Sequence, residues 1–147
     1  MKPTWILVAD NTLARFFTVD TASSPLEELS SLTHAQGRLL DHDITTAIPG
    51  KIKSSTGVGH ALEQATDPKQ HEADNFAKHV ADYLSDALNV NKFEQLAIVA
   101  GPAFLGMLRQ HLSGQLKKRV CFELNKSIAE QSPENIRSHL PKFLPSI

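Results

Sequence analysis

The sequence lacks most of the features that would assign a function directly. Its single cysteine, Cys121, excludes a disulfide framework and a cysteine-rich zinc site. Fifteen lysine and arginine residues against sixteen aspartate and glutamate residues give a formal charge of −1, which excludes a globally basic nucleic-acid binder. No apolar run approaches the roughly 18 residues of a membrane-spanning helix, and the polar residues 1–4 do not resemble a signal peptide. We therefore expect one soluble, cytoplasmic domain over residues 1–147, without a membrane span.

The charge that is present is distributed unevenly. Residues 1–100 carry 8 basic and 13 acidic residues, whereas residues 101–147 carry 7 basic and 3 acidic residues. The basic residues are densest at Lys117, Lys118 and Arg119. Such a local patch can attract phosphates, and the alternative is that these cations only complement the C-terminal end of a helix.

Apolar runs predict five strands. The continuous runs at residues 5–9, and at residues 96–99 within a strand over 95–100, are typical of strands buried on both faces. Residues 14–19 are close enough to the first run to form a hairpin with it, and residues 26–34 form a weaker strand without strict alternation. Residues 120–124 complete the set.

Capping residues and apolar spacing predict three helices. Asp67, Pro68 and Gln70 form a helix start; Gly101-Pro102 opens a second helix with its core face over residues 104–116; and Ser132-Pro133 opens a short third helix. The order βββ-α-β-α-β-α predicts an α/β fold. Its five-stranded mixed sheet is an antiparallel meander followed by two parallel strands, a ribonuclease H-like topology with helices on its faces.

A long segment over residues 35–69 has neither helical nor strand periodicity, and loops of this length in a compact domain are usually functional or disordered. Its centre combines cations, hydroxyls and flexible glycines, the groups that can wrap a phosphate or an RNA backbone. The candidate phosphate-binding residues of this segment are Lys51, Lys53, Gly57, Gly59 and His60. The alternative interpretation is a solvated linker.

Candidate catalytic residues are few. Asp10 ends the first strand like a nuclease metal ligand, but the fourth strand offers no second carboxylate, so a turn residue that bonds its own backbone is the preferred interpretation. Cys121 is expected to be a core thiol, and His71 and His79 are expected to be exposed on a helix. We expect no catalytic residue, metal or cofactor; a hydrolase acting on RNA or peptidyl-tRNA through Asp10 or His60 is the alternative.

The order of several blocks resembles a known family, the bacterial host-attachment proteins. The blocks are WILVAD and ARFF at residues 5–10 and 14–17, the Gly57/His60 loop, Asp67-Pro68, Phe76-Ala77 and AGPAFLGMLR at residues 100–109. The resemblance spans nearly the whole chain and implies a role in attachment to host cells.

That family is similar to the central domain of archaeo-eukaryotic peptide release factors and Pelota-type rescue factors. In release factors a Gly-Gly-Gln loop performs peptidyl-tRNA hydrolysis, whereas this chain has Gly57-Val58-Gly59-His60, which argues against that activity and fits the Pelota type better. The resemblance implies a non-enzymatic module that binds the ribosome or structured RNA through the 50–60 loop, with Arg15 and Arg109 as additional contacts. A module that binds a protein partner in adhesion is the remaining alternative, and it predicts an uncovered apolar patch.

Overall fold

A computed structural model describes residues 2–34 and 68–145, and these contain five strands and four helices. The strands are β1 (Thr4–Ala9), β2 (Leu13–Thr18), β3 (Glu27–Thr33), β4 (Gln95–Ala100) and β5 (Val120–Leu124). The helices are α1 (Pro68–Asn89), α2 (Pro102–His111), α3 (Gly114–Arg119) and α4 (Pro133–Ser138). Among the described residues, no helix is long and apolar enough to cross a membrane.

The strands form one mixed sheet in the order β3-β2-β1-β4-β5. β1 pairs with β2 and β2 with β3 in antiparallel fashion, whereas β4 lies parallel to both β1 and β5. A meander followed by two crossover connections requires this arrangement, because a strand that returns to the sheet through a helix runs parallel to its neighbour. The predicted five-stranded mixed sheet is confirmed.

The two central strands are buried on both faces of the sheet. Trp5, Leu7 and Ala9 of β1 face a core formed with α1, α2 and α3, whereas Ile6 and Val8 face a second core. That second core is closed by α4 and the segments that flank it, through Ile128, Ala129, Ile136, Leu140 and Leu144. Helical and irregular layers therefore cover both faces, as strands that are buried at every position require.

A β-bulge explains the weak alternation of the third strand. Phe16 pairs with Ser30 while Phe17 pairs with Glu28, so Leu29 is an extra residue in β3. An extra residue bends a strand and redirects its side chains. The leucines of this stretch therefore do not recur with the two-residue period of a regular strand.

The single helix expected over residues 104–116 is wrong, because the structure divides it into α2 and α3. Leu112 is extended, with φ −72° and ψ 134°, and ends α2. The Ser113 hydroxyl then accepts a hydrogen bond from the N–H of Leu116 and caps a new helix. Leu112 and Leu116 both remain buried, so the break preserves the apolar face on which the prediction relied.

Helix α1 ends in a left-handed turn. It terminates at Asn89, and Asn91 adopts a left-handed conformation with φ 59°. The N–H groups of Asn91 and Lys92 donate to the carbonyls of Leu88 and Ala87, which satisfies two carbonyls of the last turn. The expected cap, Asp67, lies outside the described residues.

The Arg137 side chain fixes the C-terminal segment to the sheet by hydrogen bonds to four backbone carbonyls. The Arg137 guanidinium donates to the carbonyls of Ala22 and Ser24 between β2 and β3, and to those of Pro141 and Lys142. A planar fork of five N–H donors suits such a site, and lysine could not replace it. Arg137, which the sequence placed in the basic C-terminal third, therefore has a structural role.

Candidate functional site

The carboxyl ends of β1 and β4 border a cleft of about 390 Å³, which we call the carboxyl-edge cleft. Its walls come from the turn after β1, the start of α2 and the chain beyond β5. The lining residues are Asp10, Asn11, Thr12, Gly101, Pro102, Ala103, Phe104 and Ser127. Open α/β sheets commonly bind ligands at this edge, so it is the first place to look for chemistry.

The Asp10 side chain stabilises the turn between β1 and β2 by hydrogen bonds. Its Oδ1 accepts hydrogen bonds from the backbone N–H groups of Thr12 at 2.9 Å and Leu13 at 2.8 Å, and from the Thr12 hydroxyl at 3.2 Å. Its own N–H donates to the carbonyl of Leu13 at 2.8 Å. The preferred interpretation of Asp10 as a turn residue is confirmed.

The opposite wall of the carboxyl-edge cleft is the start of α2. Gly101 precedes the helix without a side-chain cap, and Pro102 occupies the first helical turn, where its missing N–H costs no hydrogen bond. A Cβ on Gly101 would lie 3.3 Å from the Cβ of Ser127, so the chain beyond β5 passes close to this glycine. This wall is the helix start that the sequence predicts at Gly101-Pro102.

Arg15, a predicted RNA contact, lies on the opposite face of β2 from α1 and is largely buried. Its guanidinium donates to both carboxylate oxygens of Glu28, at 2.9 and 3.1 Å. It also donates to the carbonyls of Ala129 and Gln131, and it lies 5.1 Å from the ring centroid of Phe17. The arginine thus joins β2, β3 and the segment before α4.

Arg109, the second predicted arginine contact, lies near the end of α2 and forms an exposed ion pair with Glu123 of β5. Hydrogen bonding and charge attraction from this carboxylate raise the pKa of Arg109. The structure does not bring Arg15 and Arg109 to a common partner. The other predicted contacts, Lys51, Lys53, Gly57, Gly59 and His60, lie outside the described residues.

Two histidine–carboxylate pairs hold the first turns of α1. His34, directly after β3, contacts Glu72 at 2.9 Å, and His111 at the end of α2 contacts Asp74 at 2.9 Å. His71 and His79 are exposed, as predicted. Within residues 2–34 and 68–145, no group of three or more histidine, cysteine, aspartate or glutamate side chains is placed to hold a metal ion.

Cys121 is less buried than expected. It lies in β5, an edge strand of the sheet, where its side chain is half-buried instead of enclosed in the core. Burial raises the pKa of the Cys121 thiol, which keeps it protonated at neutral pH. A protonated thiol is a poor nucleophile, so this environment does not activate it.

A second depression, larger than the carboxyl-edge cleft, lies on the α1 face of the sheet, between β3 and the C-terminal half of α1. We call it the β3–α1 groove; its volume is about 810 Å³. Its lining residues are Trp5, Thr18, Leu29, Ser30, Tyr83, Asp86, Ala87, Val90 and Lys92. Leu29 and Val90 are 44% and 63% exposed, which leaves large apolar side chains open to solvent on both walls.

Trp5 and Tyr83, which line the β3–α1 groove, belong to a cluster of packed aromatic rings. The Tyr83 hydroxyl hydrogen-bonds with that of Ser30 at 2.9 Å, so the strand and the helix are tied together. The ring of Trp5 lies 5.1 Å from Phe93, and Tyr83 lies 4.6 Å from Phe16, measured between centroids. A preformed apolar surface of this kind can bind a partner without first reorganising.

Sequence reasoning did not identify the β3–α1 groove. Two signals were present: Leu29 breaks the alternation of its strand, and Val90 is an apolar residue placed beyond the helix terminator Asn89. Neither signal shows that the two residues face one depression, because that depends on how α1 crosses the sheet. The partners of His34 and His111 are equally invisible in the sequence.

One comparison with known proteins identifies a relationship. Residues 5–140 match a family model described as "Protein required for attachment to host cells". The match extends over nearly the whole chain and includes all the strands and helices of the described residues except the first residue of β1. No curated protein matches the chain.

The Arg15–Glu28 pair predicts an acid-sensitive contribution to stability. The hydrogen bond from Arg15, with its charge, lowers the pKa of Glu28 below its ordinary value of 4.5. The pair therefore stabilises the fold above that pH, and the stabilisation is lost as the pH falls through the depressed pKa. Since Glu28 is exposed, Glu28→Gln should lower the free energy of unfolding by only about 0.5–1 kcal/mol at pH 7.

Urea denaturation of the wild type and the Glu28→Gln variant at pH 7 and pH 3 measures this contribution. The difference in unfolding free energy should shrink at pH 3. Glu27→Gln, an exposed neighbour outside the pair, is the matched control and should change stability little at either pH. An equal loss for Glu28→Gln at both pH values would contradict the assignment.

Proposed function

The chain belongs to the family of proteins required for attachment to host cells, and from this membership we propose that it acts in attachment as a non-enzymatic binding module. The observation that supports this proposal is the open β3–α1 groove, whose walls expose Leu29 and Val90. An exposed apolar surface beside a cluster of packed aromatic rings is typical of a protein interaction site.

The described ionisable side chains favour binding over catalysis. The Oδ1 of Asp10 is bonded within its own turn, and Arg15 is held by a carboxylate and two carbonyls. Cys121 has a raised pKa, which disfavours the reactive thiolate. A hydrolase needs a nucleophile within reach of a base and a group that orients that base. Asp10, Arg15 and Cys121 do not form such an arrangement.

Adherence to host cells tests the proposal. A strain without the gene should attach less than the parent, and the wild-type gene should restore attachment. Asp10→Asn should restore it equally. An asparagine Oδ1 still accepts the hydrogen bonds of the turn, whereas the negative charge that a catalytic Asp10 would need is lost. Asp10→Ala is the contrasting variant and should lower protein stability, measured by thermal unfolding of the purified chain.

Unchanged attachment after deletion of the gene would contradict the role in attachment. Restoration by the wild type but not by the folded Asp10→Asn variant would contradict the non-enzymatic interpretation. It would favour the hydrolase alternative, in which Asp10 is reactive.

A second proposal keeps the interaction with structured RNA or the ribosome that the likeness to release factors implies. It rests on Lys51, Lys53 and the Gly57–Gly59–His60 stretch, with Arg15 and Arg109 as weaker contacts because both are ion-paired. The observation in its favour is that Lys117, Lys118 and Arg119 are all exposed at the end of α3. Exposed cations of this kind can contact a phosphate backbone.

Co-sedimentation with ribosomes at increasing salt tests the RNA proposal. Binding should weaken with salt, and Lys51→Ala/Lys53→Ala should reduce both the affinity and the salt dependence, because fewer counterions are released. Lys78→Ala, which removes an exposed lysine paired with Asp82 on α1, is the control and should leave binding unchanged. Identical sedimentation of the double variant and the wild type would refute this site assignment.

A further inference from the structure

Asp86 lies where its own helix disfavours a negative charge. It is exposed in the last turn of α1, which has no basic residue. The carbonyl groups at a helix C-terminus carry partial negative charge, so a carboxylate there is repelled and a cation is attracted. Among residues 2–34 and 68–145, no side chain forms an ion pair with Asp86, which lines the β3–α1 groove.

A second acid lies beside the β3 wall of the β3–α1 groove. Glu27 is exposed at the start of β3 and pairs with Thr18 of β2, whose side chain lines the groove. Directly paired residues of adjacent strands share a face of the sheet, so Glu27 flanks the groove at the same end as Thr18. The lining of the groove also includes one described cation, Lys92, which opposes the negative charges of Asp86 and the flanking Glu27. One carboxylate in the α1 wall and another beside the β3 wall favour a positively charged occupant.

The apolar part of the β3–α1 groove lies beside these carboxylates. The bulge in β3 places Leu29 on one wall, and Val90 on the other follows the end of α1. Bulges often redirect a side chain beside a functional site. A large apolar side chain entering the groove would contact Leu29, Val90 and the ring of Tyr83.

We infer that the β3–α1 groove binds a segment of a partner protein that presents a lysine or arginine next to a large apolar side chain. The cation would meet Asp86, Glu27 and the carbonyl end of α1, and the apolar side chain would displace water from Leu29 and Val90. Nucleic acid is disfavoured here, because its phosphates would be repelled by the same carboxylates. This inference rests on the proposed function and names the partner's chemistry at the same groove.

The only tryptophan of the chain, Trp5, lines the β3–α1 groove, so its fluorescence reports occupancy. The probes are a capped hexapeptide alternating lysine with leucine, its counterpart with glutamate in place of lysine, and a uridine hexanucleotide. The lysine peptide should shift the emission and bind roughly tenfold more tightly than the glutamate peptide, and the oligonucleotide should not bind. The amide chemical shifts of Leu29 and Val90 should move with the lysine peptide.

Two variants separate the contributions of charge and apolar contact. Asp86→Asn should reduce the preference for the lysine peptide to about threefold or less, because one of the two carboxylates is removed. Val90→Ser should weaken both peptides, because it removes an apolar contact. Glu134→Gln, an exposed change on α4 at the other face of the sheet, should preserve the wild-type preference.

The inference would be overturned if neither peptide moved the emission, if both bound equally, if Asp86→Asn kept the full preference, or if the oligonucleotide bound in the groove. Adherence separates these results from the proposed function. If attachment depends on the gene but strains carrying Asp86→Asn or Val90→Ser attach normally, the groove assignment fails and the role in attachment stands.

Discussion

Strands β1 and β4 lie side by side over six residue pairs, from Thr4 with Gln95 to Ala9 with Ala100, and every one of their twelve residues is buried. A strand in this position has no access to water, so its backbone must pair on both edges and its side chains must be covered on both faces. β2 and β5 supply the outer pairing. The helices α1 to α3 cover one face, and the C-terminal segment with α4 covers the other.

The same constraint determines where open surface remains. The carboxyl ends of β1 and β4 border the small carboxyl-edge cleft, in which Asp10 is used by its own turn and Gly101 is pressed against Ser127. The larger opening lies toward β3, where α1 packs on the sheet and the bulge at Leu29 interrupts regular pairing. Leu29 and Val90, two of the three large apolar side chains exposed among the described residues, thus lie away from the edge at which α/β proteins usually hold their chemistry.

The central strands were the features best predicted from the sequence, because burial of consecutive residues leaves a continuous apolar run. Continuous apolar runs located β1 and β4, and the connections between them determined their direction. The break at Leu112 between α2 and α3 was missed because the apolar spacing continues across it. Cys121 was expected in the core because its sequence neighbours are apolar, but it is half-buried because β5 is the last strand of the described sheet.

The candidate site was harder to predict, because a charged residue in the sequence does not show its partner. Arg15 and Arg109 look like free cations until the fold brings Glu28 and Glu123 to them. The β3–α1 groove depends on the crossing of a helix over a bulged strand, which no local pattern contains. The predicted phosphate-binding residues of the 35–69 loop lie outside the described residues and stay predictions.

Native-state amide hydrogen exchange tests most directly whether the pairing of β1 with β4 supports the rest of the structure. The account predicts that the amides of Ile6 to Val8 and Ala97 to Val99 exchange only by global unfolding and are the slowest in the chain. Amides of β3 and β5, which pair on one edge among the described strands, should exchange earlier through local opening. Exchange from β1 and β4 that is as fast as from β3, or faster, would contradict the account.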